Sequence, residues 1–365
     1  MQRSGFLPGV DDCSGVGAVG LPVGGPASFF RSGGHYHRGM IELTLAHSPD
    51  PDDVFMWWPI TGKIAPGSAQ DHNVPPRPLS GPALPTGRFR FRPVPADIEV
   101  LNRRALDPSA TPFDVTALSV RTWADVSDRY RITRCGASFG DGFGPKLVCR
   151  RDQRGETTTI GCERCLSKPG VTIAIPGRRT TAFLMLGMVL GRALASDHAR
   201  FVEMPFDQII PAVASRKVHA GLVIHEGQLT FADAGLRLLV DVGEWWKERT
   251  GLKLPLGINA VRTDLDALHG PGTLAEVGDL LAASVKYAME RREESTAYTM
   301  PWAEANAVRA GMAAPDLARV DRYCRMYVSG ESLDMGEAGR GAIERLLREG
   351  ESAGLVDRAP SVSLL

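Results

Sequence analysis

Short apolar runs alternate with amphipathic stretches along most of the chain, and that alternation predicts the fold class. "IELTLAHS" (41–48) reads as a buried strand that turns into a helix near Ser48 and Asp50. "DIEVLNRRAL" (97–106) carries Ile98, Leu101 and Ala105 at helical spacing behind Asp97, a residue suited to open a helix. "FDVTALSV" (113–120) is again a strand. Strand, helix, strand in that order points to an α/β fold with parallel pairing.

The same rhythm resumes further along. "ITRCGASFGDGFGPKLVCR" (132–150) reads as a strand, a Gly-rich loop and a second strand. "VTIAIPG" (171–177) is a strand and "RRTTAFLMLGMVLGRAL" (178–194) a helix with a Thr-rich start. A strand (199–206), a helix (207–217) and the strand "VHAGLVIH" (218–225) follow. "GLRLLVDVGEWWKERTG" (235–251) adds a short strand and a helical turn, and "LPLGINAVR" (254–262) a strand returning to the first unit. Two or more helices close the chain, including 273–292 and roughly 336–353. The pattern predicts two α/β lobes, the second inserted in the first: residues 40–134 plus 256–365, and 135–255. Crossings near 132–150 and 252–258 place a ligand cleft between them, of the kind that closes by a hinge.

Two segments break the rhythm. Residues 1–39 hold ten of the 40 glycines without apolar periodicity and read as disordered, with Met40 an alternative start. Residues 65–95 hold eight prolines and a weak "GRFRFRPV" alternation, which reads as an inserted loop or ragged hairpin.

Composition narrows the function classes. The 42 basic and 42 acidic residues balance, so nothing asks for nucleic acid or an acidic membrane surface as partner. No apolar run approaches the ~20 residues that span a bilayer. Asp11 and Asp12 interrupt the start, which argues against a signal peptide and for a cytoplasmic protein. In that compartment the six cysteines are expected as thiols. Cys162 and Cys165 form a "CERC" pair with Cys149 upstream; three thiols fall short of a closed zinc site, so an inserted hairpin is the plainer reading. No metal or organic cofactor is expected.

Four post-strand loops would face the cleft. In "HSPDPDDVFMWW", Asp50, Asp52 and Asp53 suit a helix N-terminus, whose free N–H groups attract negative charge; a divalent metal is the sharper alternative. Ser119 ends the strand of 113–120, where its hydroxyl meets either a ligand oxygen or neighbouring backbone. Thr180, Thr181 and the N–H of Ala182 open a helix, as an anion site or an ordinary N-cap, with Arg178 and Arg179 adding positive potential. His225 ends a buried strand at the cleft, as a general base or as an imidazole satisfied locally, and Glu226 either orients it or caps the next turn. Three signatures are missing: there is no P-loop, no nucleophile elbow, and "GASFGDGFG" lacks the context of a dinucleotide fingerprint. Gly140, Gly142 and Gly144 read as a close-approach or hinge loop.

Taken together, "LAHSPDPDDVFM", "FDVTALSV", "GASFGDGFGP", "TTAFLML", "MPFDQII", "AGLVIHEGQLTF" and "DVGEWWKERTGLKLPLG" resemble, in that order, the menaquinone-biosynthesis family of the futalosine pathway. The resemblance covers roughly residues 41–355 and implies a cytoplasmic enzyme of periplasmic-binding-protein type II architecture. One branch dehydrates chorismate; the "IHEGQLTF" and "GEWWKERTGLKLPLG" segments look like the other, which forms 1,4-dihydroxy-6-naphthoate from cyclic dehypoxanthinylfutalosine. That branch implies His225, neutral at working pH, as the base. It implies substrate contacts at Ser48, at Ala117, Leu118 and Ser119, and at Thr181 and Ala182, with a small carboxylate as the partner. The chain departs from the family in two places. Ser48-Pro49-Asp50-Pro51-Asp52-Asp53 stands where the family stretch is Ser-Pro-Cys-Pro-Asn-Asp, and Ala117 stands where many members carry lysine. A solute-binding protein of an ABC transporter would share the fold, but Cys13 follows "GVDD" rather than the apolar stretch of a lipoprotein signal. A ligand sensor that lost the chemistry is a third reading.

Overall fold

Strands with both faces covered form the centre of the structure, a computed structural model that describes residues 39–67, 76–151 and 166–365. β3 (Val115–Ser119) is buried along its whole length. Such a strand needs a neighbour on each side and cover on each face. β1 (Ile41–His47) pairs with it in parallel and β11 (Leu254–Arg262) antiparallel. β2 (Phe89–Pro95) extends the sheet on the β1 side, and β4 (Tyr130–Ile132) and β5 (Ser138–Gly140) both pair with β11.

β2 corrects the expected loop or ragged hairpin. It runs parallel to β1 from Ile41↔Phe89 to His47↔Pro95. Phe89 and Phe91 enter the core, while Arg90 and Arg92 reach Glu42 on the other face. The alternation was therefore a period-two signal. Pro93 and Pro95 are tolerated because β2 is an edge strand that need not donate outward.

The second sheet has the order β10-β6-β9-β7-β8. Its members are β6 (Lys146–Arg150), β7 (Ile173–Ile175), β8 (Phe201–Glu203), β9 (Ala220–Val223) and β10 (Leu236–Asp241). The chain passes from one sheet to the other between β5 and β6 and returns at β11. The glycine loop at the first passage is a close approach: a Cβ on Gly140 would lie 1.9 Å from the Phe143 carbonyl oxygen. Below the cleft the two sheets share a core that takes Leu118 and Ile258 from the first and Leu147, Ile173 and Leu222 from the second.

Ten helices carry the argument: α1 (Pro51–Thr61), α2 (Ile98–Leu106), α3 (Val120–Val126), α4 (Thr181–Leu190), α5 (Phe206–Ala214), α6 (Val242–Thr250), α7 (Thr273–Glu290), α8 (Arg292–Arg309), α9 (Leu317–Tyr327) and α10 (Gly336–Ser352). Asp97 caps α2 by accepting from the Glu99 N–H, as its position led one to expect. α1 is buried from Pro51 to Ile60. A helix apolar on all sides belongs inside, and α7, α8 and α9 enclose this one. Burial of α1 fixes its N-terminus, and with it three aspartates, at the cleft. α8 and α9 were not singled out in the sequence; Pro301 interrupts α8. Among the described residues no helix is long and apolar enough to cross a membrane. Residues 1–38, and Cys162 and Cys165 of the "CERC" pair, lie outside the described residues.

Candidate active site

The loops that end β1, β3, β7 and β9 meet between the sheets around a cavity of about 90 Å³. Ser48, Ala117, Leu118, Ser119, Thr181, Ala182 and His225 all line it. These seven expected residues are thus brought to one place, whereas Arg178, Arg179 and Glu226 are not among the lining residues.

Each side chain has its own constraint. Asn102 fixes Ser119, donating from Nδ2 to the hydroxyl at 3.0 Å and accepting from its N–H at 3.0 Å. The Ser119 partner is therefore a side chain, not the neighbouring backbone. Thr180 is the N-cap of α4 and accepts from the Phe183 N–H at 3.1 Å. The Thr181 hydroxyl donates to the Leu256 carbonyl at 2.7 Å. What α4 offers a ligand is then its first-turn N–H groups at Thr181 and Ala182, which have no acceptor within the helix. The two arginines before them do not add to that site. Arg178 is bound to Glu203, Arg179 lies 3.6 Å from Asp125, and neither lines the cavity.

β9 ends at Val223, two residues short of the expected strand end. The cause is His225 itself, whose φ of 53° is left-handed and cannot continue a strand. The ring packs edge-on against Phe206, with centroids 4.7 Å apart. Its Nδ1 forms an ion pair with Asp50, and its Nε2 is buried with no partner within the described structure. Burial alone lowers the imidazole pKa, but the Asp50 carboxylate outweighs it and raises it to about 10, with Glu226 and Asp52 adding to the effect. The contact with Asp50 thus pushes the ring towards its charged form, whereas the resemblance implies a neutral one. Glu226 takes neither expected role: its Oε1 accepts from Asn306 at 2.6 Å, and it makes no capping bond.

The three aspartates divide their work. Asp53 accepts from the Ser48 N–H at 2.7 Å, reaching back to the loop before α1 rather than to the helix's own N–H groups. Asp52 accepts from Tyr323 Oη and Ser138 Oγ, each at 3.1 Å. Asp50 occupies the N-cap position of α1 yet makes no side-chain capping bond. Burial raises the Asp52 pKa and brings that of Asp53 to about 8, with Asp50's charge adding to both. Burial would raise Asp50 too, but the His225 charge holds it below its ordinary value. One ion pair thus sits among neutral acids. No group of three or more His, Cys, Asp or Glu among the described residues is arranged to hold a metal.

Asp50 and Asp52, placed on a cleft-facing loop but expected as helix-cap or metal residues, line the cavity, and Asn259, Tyr323 and Tyr327 line it without having been proposed for it. The tyrosines had a legible signal: Val320, Tyr323, Cys324 and Tyr327 are spaced as one buried helical face.

Comparison with known proteins places this architecture. A family model described as menaquinone biosynthesis matches residues 43–352. A 1,4-dihydroxy-6-naphthoate synthase from Thermus thermophilus is 34% identical over 322 residues, covering 88% of this chain and 98% of the relative. The chain belongs to the menaquinone-biosynthesis family. A synthase of the same description from Streptomyces coelicolor is 32% identical, over 86% of this chain and 94% of its own. Among solved structures, a protein from Archaeoglobus fulgidus is 33% identical with a TM-score of 0.64, covering 88% of this chain and all (100%) of that one. The alkanesulfonate-binding protein of Xanthomonas axonopodis pv. citri, at 13% identity and a TM-score of 0.53, covers 89% of this chain and 97% of its own; it shows the periplasmic-binding-protein fold and nothing further.

Asp50, Asp52 and Ala117, the positions at which the sequence departs from the resemblance, all line the cavity, and no lysine or arginine is among its described lining residues.

Proposed function

We propose that this chain is a 1,4-dihydroxy-6-naphthoate synthase, a lyase acting on cyclic dehypoxanthinylfutalosine, with His225 as the proton-transfer group. The observation that carries the reading is a buried imidazole nitrogen, His225 Nε2, left without a partner in a residue that lines the same cavity as Ser119, Thr181 and Ala182. The substrate carboxylate meets the first-turn N–H groups of Thr181 and Ala182, where the helix dipole favours an anion. Ser119, held by Asn102, offers its hydroxyl to a ring oxygen. His225 Nε2 removes a proton. Where that proton sits on an oxygen of the sugar-derived fragment, the oxygen's electron pair forms a carbonyl as the adjoining carbon–carbon bond breaks, the bond's electrons enter the new aromatic ring, and the fragment leaves as the carbonyl compound. Enclosure between the lobes excludes water and holds the reacting atoms in line. Membership of a biosynthetic family supports an enzyme over a transport binding protein.

The base form of His225 is the minor one at neutral pH, because the proton leaves only near pH 10. The reading therefore requires kcat/KM to rise with pH from 7 towards 10. The deciding experiment incubates the full chain with cyclic dehypoxanthinylfutalosine, and with chorismate in parallel, and follows products by mass spectrometry. Dihydroxynaphthoate from the wild type and none from His225→Asn is the expected result. Turnover of chorismate alone, or of neither compound, overturns the reading.

A further inference from the structure

We propose that Asp50 is the positioning residue of His225: its carboxylate accepts the Nδ1 hydrogen bond, turns Nε2 towards the cavity and fixes the ring for proton transfer. This rests on the proton-transfer reading of the same site. Asp50 and His225 come from different sheets, following β1 and β9, and their side chains meet with 4% and 13% exposure. Asp50 is an N-cap residue whose side chain does not cap, although capping is the ordinary use of aspartate there. Its carboxylate is spent on the imidazole instead. His225 in turn holds a left-handed backbone, a conformation that persists when the surroundings over-determine it. Phe206 blocks one side of the ring and Asp50 takes Nδ1, so Nε2 alone remains for a ligand.

Other acids surround the ring, and each is engaged elsewhere. Asp52 is bonded to Tyr323 and Ser138, Asp53 to the Ser48 N–H, Asp97 to the Glu99 N–H and Glu226 to Asn306. Among the described residues, Asp50 is the carboxylate in ion-pair contact with the ring. An aspartate that fixes one imidazole tautomer and stabilises its charged form is a general device of proton transfer.

The test compares wild type with Asp50→Asn, which keeps the shape and an acceptor oxygen but loses the charge. Asp50→Ala is a second neutral variant, and Asp50→Glu restores the charge. Two readouts are taken: the 15N NMR titration of His225 in histidine-labelled protein, and the pH profile of kcat/KM. In both neutral variants the His225 titration is expected to fall by about two pH units or more. The rise in kcat/KM should move down with it, and its plateau should drop about tenfold or more while KM changes little. Asp50→Glu should recover part of the high titration. Folded neutral variants that titrate and turn over like wild type overturn the proposal. The two readings fail separately. If wild type shows no turnover but its His225 titration falls in Asp50→Asn, the synthase reading is lost while Asp50's hold on the ring stands. If turnover needs His225 but not Asp50, this proposal alone is lost.

Discussion

His47 and His225 are both buried imidazoles at the end of a strand, His47 closing β1 and His225 following β9, yet they are driven in opposite directions. His47 is 3% exposed and its Nδ1–H donates to the Ser48 carbonyl at 2.8 Å. Its ring meets Trp302 edge-on, with centroids 6.2 Å apart. Burial lowers its pKa, and the Ser48 hydrogen bond and the Asp50 charge do not overcome that. His225 suffers the same burial but touches the Asp50 carboxylate, and its pKa rises to about 10. The lesson is that burial does not assign a histidine its role. A neutral dipole as partner makes a structural imidazole; a carboxylate in contact, with the other nitrogen facing a cavity, makes a chemical one.

The largest expected effect breaks the two apart by activity. His225→Asn, chosen because asparagine tolerates the left-handed backbone, should lower kcat by about 10²- to 10⁴-fold in a steady-state assay. His47→Asn should leave kcat within about threefold, since its ring does not line the cavity. Equal losses in the two variants would mean that the site is wrongly placed.

The next effect is on stability against pH, and its sign differs between the two residues. The folded pKa of His225 lies above its ordinary 6.5, so its contribution is present in full below 6.5 and is lost as pH rises through about 10. The folded pKa of His47 lies below 6.5, so its contribution is present above 6.5 and is lost on acidification. Urea unfolding from pH 5 to 10 should therefore show a shallower alkaline decline in His225→Asn and a shallower acid decline in His47→Asn. Matching slopes in the two variants would erase the contrast.

The smallest effect sharpens the packing half of the comparison. Phe206→Leu removes the edge-on contact to His225 and should cost about 1 kcal/mol in urea unfolding. Its kcat should fall less than that of His225→Asn, because the Asp50 ion pair remains. A loss as large as that of His225→Asn would make Phe206, rather than Asp50, the element that sets the ring.

Legibility of the site followed the range of the physics involved. His225 could be found because a polar residue after "AGLVI" breaks a local pattern. Thr180 could be found because capping is decided within four residues. Asp50 was misread by the same logic: its neighbours made a helix cap the sensible expectation, and the competing partner followed a strand of the other sheet. β2 was misread because Pro93 and Pro95 argue against a central strand, and nothing in "GRFRFRPV" says that the position is an edge. Tyr323 and Tyr327 were legible in their spacing as a buried face, but not in what that face covers.

By itself, then, the sequence determined the alternation of strands and helices, the family resemblance and the position of His225 just after a strand, because each is written in contacts between near neighbours or in the order of whole segments. The tertiary structure alone decided that Asp50 meets His225, that Glu226 turns to Asn306, and that the imidazole is pushed towards its charged form. Those facts depend on which side chains from the ends of two different sheets share one cavity, where the charge and hydrogen bond of Asp50, together with the neighbouring acids, overcome the burial that lowers an imidazole pKa.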